Sequence, residues 1–313
     1  MNDSDLIQPD DYRGYRLEPA DQRTGLSLLL SNRVDPKDPA VGPFVQFART
    51  QGLDLRELWV AEEAGAPRVA ALMVPGEGRT MMMLLSAIGR DSLVPYQAAL
   101  IRQMVRGLSP DRIRLVQALL DLHQHHARQA LIDAGFTWLA NLAYMDRKDL
   151  VHDEHARLGF PDERLTIHHW SEANRPIFEA AIQASYIETQ DCPGLLGVRD
   201  IHDVIAGHKS SGLFDPETWF AVERDGEPVG VMLLNVLSGR RAVELVYLGL
   251  APSYRRKGYA WRLMQYGMSL AAGRGAKSML VAVDERNDPA VRLYRRLGFT
   301  VNGRKAALIL ALR

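Results

Sequence analysis

Residues 251–260 read Ala251-Pro252-Ser253-Tyr254-Arg255-Arg256-Lys257-Gly258-Tyr259-Ala260. A strand candidate, Ala242 to Leu250, leads into this stretch, and a helix candidate, Tyr259 to Ala272, leads out of it. A loop that ends in small residues and opens a helix presents unpaired backbone N–H groups. Those groups, with the positive end of the helix dipole, suit a phosphate. Gly258 permits close approach of a ligand to the backbone, and Ala260 keeps the first helical turn slim. Arg255, Arg256 and Lys257 add cationic charge. The physics points to the pyrophosphate of a nucleotide-like cofactor without saying which one. The loop lacks the Gly-rich spacings of nucleotide triphosphatases and of dinucleotide folds.

Working outward, the second half of the chain alternates strands and helices. Arg164 to His168 reads as a strand. Glu172 to Thr189 has helical spacing, with Ser171 as its N-cap. Arg199 to Ser210 is a second helix. Thr218 to Glu223 and Pro228 to Leu237 flank Asp225-Gly226, a hairpin signal. After the loop and its helix come a buried strand, Ser278 to Val283, a helix from Pro289 to Leu297, and a last strand, Ala306 to Leu312. The first half gives nearly the same order, from a strand at Tyr15 to a strand at Leu139 to Met145. Ala127 lies eight residues before Gly135-Phe136, and Ala290 lies eight before Gly298-Phe299. The offset between the two endings is 163 residues. The chain therefore reads as two copies of one fold: residues 13–149, a linker at 150–162, and residues 163–313.

The chain has 313 residues, 38 basic and 38 acidic side chains, and zero formal net charge. The balance hides an asymmetry. Residues 240–313 hold 15 Lys and Arg against 4 Asp and Glu, so the last quarter favours anions. Zero net charge argues against a general nucleic-acid binder. One cysteine excludes an intrachain disulfide framework and a cysteine-based zinc site. No stretch is apolar enough to span a membrane, and Met1 to Tyr15 lacks the apolar core of a signal peptide. A cytoplasmic setting follows as the expectation. His123, His125 and His126 read as a polar helix entry, and no metal site is expected.

A second motif follows the loop: Asn287-Asp288-Pro289-Ala290-Val291-Arg292-Leu293-Tyr294-Arg295-Arg296-Leu297-Gly298-Phe299. With Arg255-x-x-Gly258-x-Ala260, it resembles the GNAT superfamily of acetyl-coenzyme A dependent N-acetyltransferases. The resemblance covers residues 163–313. It implies an α/β fold of two tandem domains, each a central, mostly antiparallel sheet with splayed middle strands flanked by helices. It implies acetyl-CoA, or another acyl-CoA, as cofactor. Leu248 and Leu250 would bond the pantetheine arm, the segment Arg255, Arg256, Lys257, Gly258, Tyr259 and Ala260 would hold the pyrophosphate, and Asn287 would anchor the amide region. Tyr294 would protonate the departing thiolate. A phenol with an ordinary pKa near 10 is protonated at neutral pH and can do so. In many members of this family a glutamate on this strand serves as base, often through water, which makes Glu244 the candidate base; a carboxylate in Val243-Glu244-Leu245-Val246 also costs stability unless exposed or used.

In this family acceptor specificity sits in the first two helices, the loop between them, and the hairpin of the sixth and seventh strands. Here the first of these regions, Tyr186 to Arg199, contains Glu188 and Asp191, which suit a cationic amine. The lone Cys192 is expected to be a packing residue. At the 163-residue offset, Tyr294 falls on Leu131 and Asn287 on Gln124. The stretch Gly89-Arg90-Asp91-Ser92-Leu93-Val94-Pro95-Tyr96 has no cofactor signature. The first copy is expected to keep the fold and lose the site. Tandem relatives such as mycothiol synthase share that layout. The expected function is direct acetyl transfer to a primary amine of a small molecule, in a chain that is a monomer or a homodimer. A non-catalytic acyl-CoA sensor and a protein or peptide amine acetyltransferase stay open.

Overall fold

The computed structural model of the chain describes residues 9–153, 164–237 and 239–313. It divides into two compact units. One comprises the chain up to Leu139 together with Lys305–Arg313, and the other is Ala140–Arg304.

The first unit contains β1 (Arg13–Arg16), α1 (Gln22–Ser31), α2 (Val41–Thr50), β2 (Leu58–Glu63), β3 (Ala66–Gly76), β4 (Thr80–Leu85), α3 (Val94–Arg106), β5 (Leu115–Asp121) and α4 (His125–Asp133). β6 (Thr137–Lys148) crosses from the first unit into the second. The second unit continues with β7 (Leu165–His169), α5 (Arg175–Tyr186), α6 (Ile201–Ser210), β8 (Trp219–Arg224), β9 (Glu227–Val236), β10 (Ala242–Leu250), α7 (Tyr259–Gly273), β11 (Ser278–Asp284) and α8 (Asp288–Arg296). β12 (Thr300–Ala311) starts in the second unit and ends in the first. The element order is the same twice. Adding 163 to the bounds of β5, α4 and β6 gives those of β11, α8 and β12.

In the first unit the strands lie in the order β1-β2-β3-β4-β5-β12. In the second they lie in the order β7-β8-β9-β10-β11-β6. Each sheet is antiparallel except at one place: β4 runs parallel to β5, and β10 parallel to β11. The closing strands are exchanged. Lys305–Ala311 of β12 pairs with β5, while Leu142–Lys148 of β6 pairs with β11. The units therefore do not follow the expected limits of 13–149 and 163–313. The last strand of each sequence copy belongs to the other copy's sheet, because its ladder partners lie there. Of the expected linker, Leu150 to Asp153 packs on the second unit: the Leu150 amide donates to the Lys277 carbonyl and the Asp153 amide to Ser269 Oγ. Residues 154–162 lie outside the described residues.

Local sequence explains the helix that matters most. Asn287 caps α8 by accepting from the Ala290 amide. Asp288 and Pro289 occupy its first turn, Arg295 and Arg296 its last, so charge and proline both suit the helix dipole and its free N–H groups. Gly298, at φ 82°, ends it. Elsewhere the bounds differ from expectation. α5 starts at Arg175 and Asn174 is its N-cap; Ser171 Oγ instead accepts from the Asn174 amide. β12 begins at Thr300, ahead of the expected Ala306, and its polar first half, Thr300–Lys305, is where the apolar pattern gave no strand signal.

Two apolar clusters fill the second unit. α7, α8 and the turn after α8 cover one face of the sheet with Leu263, Met264, Tyr294, Leu297 and Phe299 against Phe220, Met232 and Val281. α5 and α6 cover the other with Phe178, Ile182 and Ile205 against Trp219 and Leu233. Burying each such side chain contributes about 1.5–3 kcal/mol. This two-sided cover fixes both middle strands, β10 and β11, from which the site is built.

Candidate functional site

β10 and β11 pair from Ala242↔Ser278 to Leu245↔Val281 and no further. Both strands continue. β10 stays paired with β9 as far as Leu250↔Gly230, and β11 with β6 as far as Asp284↔Leu142. The middle of the sheet therefore opens while its outer ladders hold. A bulge at Val246 falls where the gap begins. It shifts the alternation by one residue. Val243 and Leu245 before it, and Leu248 and Leu250 after it, all pack on the α7–α8 face. Val246 and Tyr247 both turn to the α5–α6 face.

The gap leads into a cavity of about 1330 Å³, walled by the ends of β10 and β11, the loop before α7, the loop after α5, and α8. A pocket for one small ligand holds about 300–1,000 Å³, so this one has room for a long ligand. The loop before α7 forms a backbone nest. Arg256 has φ 59° and Gly258 has φ 84°. A Cβ on Gly258 would meet no protein atom within 4 Å, so the glycine leaves open space beside the first amides of α7. Arg256, Lys257, Arg262, Arg292 and Arg296 share the cavity wall, which concentrates much of the basic surplus of the last quarter there. Successive amides at a helix N-terminus with nearby cations suit phosphate oxygens.

Most of the sequence-derived residues meet here. Leu248, Leu250, Arg255, Arg256, Lys257, Gly258, Ala260, Asn287 and Tyr294 line the cavity, as do Glu188 and Asp191. Tyr259 does not; its ring packs edge-on against Tyr254 at 5.4 Å. Glu244 does not line it either. It stands one residue before Leu245 on the opposite face of β10, near Tyr144, and burial raises its carboxyl above the ordinary range. Arg255 lines the wall, but its guanidinium is committed to backbone. It donates to the carbonyls of Leu250 (3.1 Å), Ser185 (3.0 Å), Ile187 (2.6 Å) and Glu188 (3.2 Å).

The acidic wall is held from the β11 side. Asp191 accepts from the Asp284 amide at 3.1 Å, and its carboxylate also bonds the Asn287 side chain. Asp284, fully buried, accepts from the Cys192 amide at 3.3 Å and from the amide and guanidinium of Arg286. Asp191 is open to the cavity, yet the protein crowded round it raises its carboxyl above the usual range. Burial pushes the Cys192 thiol up to about 12, which leaves it inert as a nucleophile. Burial, with the Asp191 charge second, raises the Tyr294 phenol well above its ordinary value. Tyr294 therefore holds its proton throughout the neutral range.

Ser185 and Tyr247 also line the cavity and were not singled out in the sequence. Their hydroxyls lie 2.6 Å apart. Tyr247 stacks on His208 at 5.4 Å, and burial lowers the His208 imidazole to about 4. No local pattern marks this group, because it is assembled from α5, α6 and β10. The expected histidine cluster lies elsewhere: His126 pairs with Asp91, and His125 with Arg128. Among the described residues no group of three or more metal-ligating side chains is arranged to hold an ion.

Comparison with known proteins bears on this geometry. The model of the acetyltransferase (GNAT) family matches residues 175–299, which span the whole cavity wall. An uncharacterised N-acetyltransferase of Mycobacterium bovis is 33% identical over 118 residues, 36% of this chain and 75% of that protein. The chain belongs to the GNAT family of acetyltransferases. A mycothiol acetyltransferase of Streptomyces bingchenggensis is 36% identical over 107 residues. That match covers 34% of this GNAT chain and 33% of the relative, so the similarity spans about a third of the relative's length. The crystal structure of a GCN5-related N-acetyltransferase from Sphaerobacter thermophilus superposes with a TM-score of 0.60 at 18% identity, covering 98% of both chains. The GNAT chain shares that fold over 98% of its length. Among the described residues no helix is long and apolar enough to cross a membrane.

Proposed function

We propose that this chain is an N-acetyltransferase that moves the acetyl group of acetyl-CoA to a primary amine of a small molecule, with both substrates bound together. The observation that carries the reading is one cavity whose walls join a cationic backbone nest at a helix N-terminus, a split in a sheet, a buried phenol and two carboxylates. The residues present fit the coenzyme: Gly258 leaves the nest open, and beyond Leu245 the inner edge of β10 is not engaged by β11. Leu248 and Leu250 would meet the pantetheine arm, the amides from Arg256 to Ala260 the pyrophosphate, and Asn287 the amide region. When bound, the coenzyme supplies an activated acyl thioester.

The chain's own residues then have separable tasks. Glu188 and Asp191 attract an ammonium group and orient it. That group must lose a proton before it is a nucleophile. Glu244, our expected base, is off the cavity wall, so we assign proton acceptance to Asp191. A carboxylate whose acid form is favoured by its surroundings takes a proton more readily than a solvated one. Tyr294 keeps its proton and would donate it to the departing sulfur. The uncovered amides of β10 after the bulge are the assigned donors to the developing oxyanion.

In the first unit, no residue from Ser86 to Leu93 has a positive φ, so no nest precedes α3. Asp91 already places a carboxylate before that helix, paired with His126 at 3.0 Å. Leu131, fully buried, stands where the second copy has Tyr294. Gln124 replaces Asn287 and accepts from the Asp121 amide. We assign cofactor binding to the second unit alone. The single cysteine is in keeping with a reduced, cytoplasmic setting.

The test is thiol release from acetyl-CoA over a panel of small amines and amine-terminated peptides. Turnover with small amines, lowered about 100-fold or more in Tyr294→Phe with CoA affinity within about threefold, is expected. Acetyl-CoA binding without turnover on any amine would favour a sensor. Turnover confined to peptides would favour the peptide acetyltransferase.

A further inference from the structure

The wall that carries Glu188 and Asp191 has an awkward backbone. Glu188 has φ 52° and Cys192 has φ 45°, both left-handed and neither glycine. Such conformations persist where the surroundings over-determine them. Here the segment is tied at both ends, and the ties lead to opposite sides of the split sheet. On the β11 side the tie is Asp284, through the Cys192 amide and the Asp191 carboxylate. On the β10 side the end of α5 is held by the Ser185–Tyr247 hydroxyl pair, and the carbonyls beyond it by Arg255. Its guanidinium takes the carbonyls of Ser185, Ile187 and Glu188, and its Nε takes that of Leu250.

A planar guanidinium offers five N–H donors in a fixed fork, and here four bonds run to backbone. Ser185 lies in the last turn of α5, where carbonyls lack helical partners and a cation is favoured. The head group is thus spent mostly on carbonyls rather than held out for an anion. We propose that Arg255 is a positioning residue for the acceptor side of the cavity: it fastens the Ile187–Glu188 backbone, and through it the Glu188–Asp191 wall, to the end of β10, and so helps set the distance between the strand that would hold the acyl donor and the wall that would meet the amine. Arg256 and Lys257, next in sequence, are left as the cations for phosphate. The inference rests on the acetyl-transfer reading above only for what the wall is used for; the fastening itself does not depend on it.

The test uses the full chain carrying Arg255→Lys or, separately, Arg255→Gln. Lysine keeps the charge but offers three donors from a single point and cannot span four carbonyls. Hydrogen exchange of the amides from Ile187 to Cys192 is expected to rise about tenfold or more in both variants, in line with losing several bonds to a charged donor. Exchange in β8 and α7 should stay as in the unaltered chain, which also shows that each variant is folded. CoA affinity, read by titration calorimetry, should change less than about threefold in Arg255→Lys. With an amine found active in the panel, the amine KM should rise about tenfold while kcat changes little, a split that a general loss of structure would not give. Unchanged exchange at 187–192 in both variants would overturn the proposal. So would a loss of CoA affinity of about thirtyfold in Arg255→Lys, which would make Arg255 a phosphate ligand. If no amine is acetylated by the unaltered chain, the functional reading fails, and exchange and CoA affinity still decide the role of Arg255.

Discussion

Asp191 shows how much a single side chain's surroundings determine its chemistry. On a solvated loop its carboxyl would titrate near 3.9. In the cavity it is crowded by protein and raised, while the Asp284 amide and the Asn287 side chain hold it in place. A base must be deprotonated to act, so the acid limb of kcat/KM should lie above the range of an ordinary aspartate. Asp191→Asn should lower kcat/KM about 100-fold and remove that limb, read from pH profiles of thiol release. His208 makes a second prediction, on stability. Its imidazole is lowered from 6.5 to about 4 by burial and then by the Arg199 charge, so the fold holds it neutral. The unfolded chain takes up a proton near 6.5, and the folded chain does not until about 4. Stability from this group is therefore present above about 6.5 and lost as pH falls toward 4. The loss is at most about 3 kcal/mol across that window. A His208→Phe variant should show a smaller fall in melting temperature between pH 7 and pH 5 than the unaltered chain does.

At the scale of elements, the nest before α7 separates a backbone requirement from a ligand requirement. Gly258 and Gly226 both have positive φ, at 84° and 82°, and a Cβ on either would touch no protein atom within 4 Å. Alanine at either position carries the same kind of cost, about 1 kcal/mol for a left-handed φ. Gly226 sits in the β8–β9 turn, away from the cavity wall. Gly258→Ala and Gly226→Ala should therefore lower the melting temperature by similar amounts, while only Gly258→Ala weakens CoA binding, by about tenfold. Equal CoA affinities in the two variants, measured by calorimetry, would remove the nest from the site. This stretch was legible in the sequence because its features are local: a positive φ, a helix start and a run of cations all lie within ten residues. The α8 motif was legible for the same reason. The bulge at Val246 left no local mark, since an extra residue in a strand is defined by the partner strand. Counting along β10 therefore does not say how its residues face the cavity once the alternation shifts, and Glu244, ahead of the bulge, is outside the lining. Arg255 was legible as part of the loop, but its bonds were not, because three of the four carbonyls it bonds are contributed by residues 185 to 188, far away in sequence.

At the scale of the whole molecule, the repeat was legible and its pairing was not. The 163-residue offset holds to the residue for β5, α4 and β6 against β11, α8 and β12. An offset records similarity between copies, and it carries no information about which copy a strand joins. β6 and β12 have nearly the same length and place in their copies, so either pairing satisfies the sequence pattern. The structure gives the end of β12 to the first unit, where Ala306 and Leu308 are buried in the same core as Val116, Leu131 and Phe136. Leu308 is 0% exposed and stands opposite Ala118 on β5. Truncating a buried leucine costs about 2–5 kcal/mol. Leu308→Ala in the full chain should therefore destabilise the first unit, though the residue lies near the end of the second copy. Hydrogen exchange would show it: amides of β3, β4 and β5 should lose protection, while those of β8, β9 and α5 keep theirs. A contiguous pair of domains divided between residues 149 and 163 would give the reverse pattern. If CoA binding belongs to the second unit alone, the same variant should also bind CoA with an affinity close to that of the unaltered chain at temperatures where both are folded.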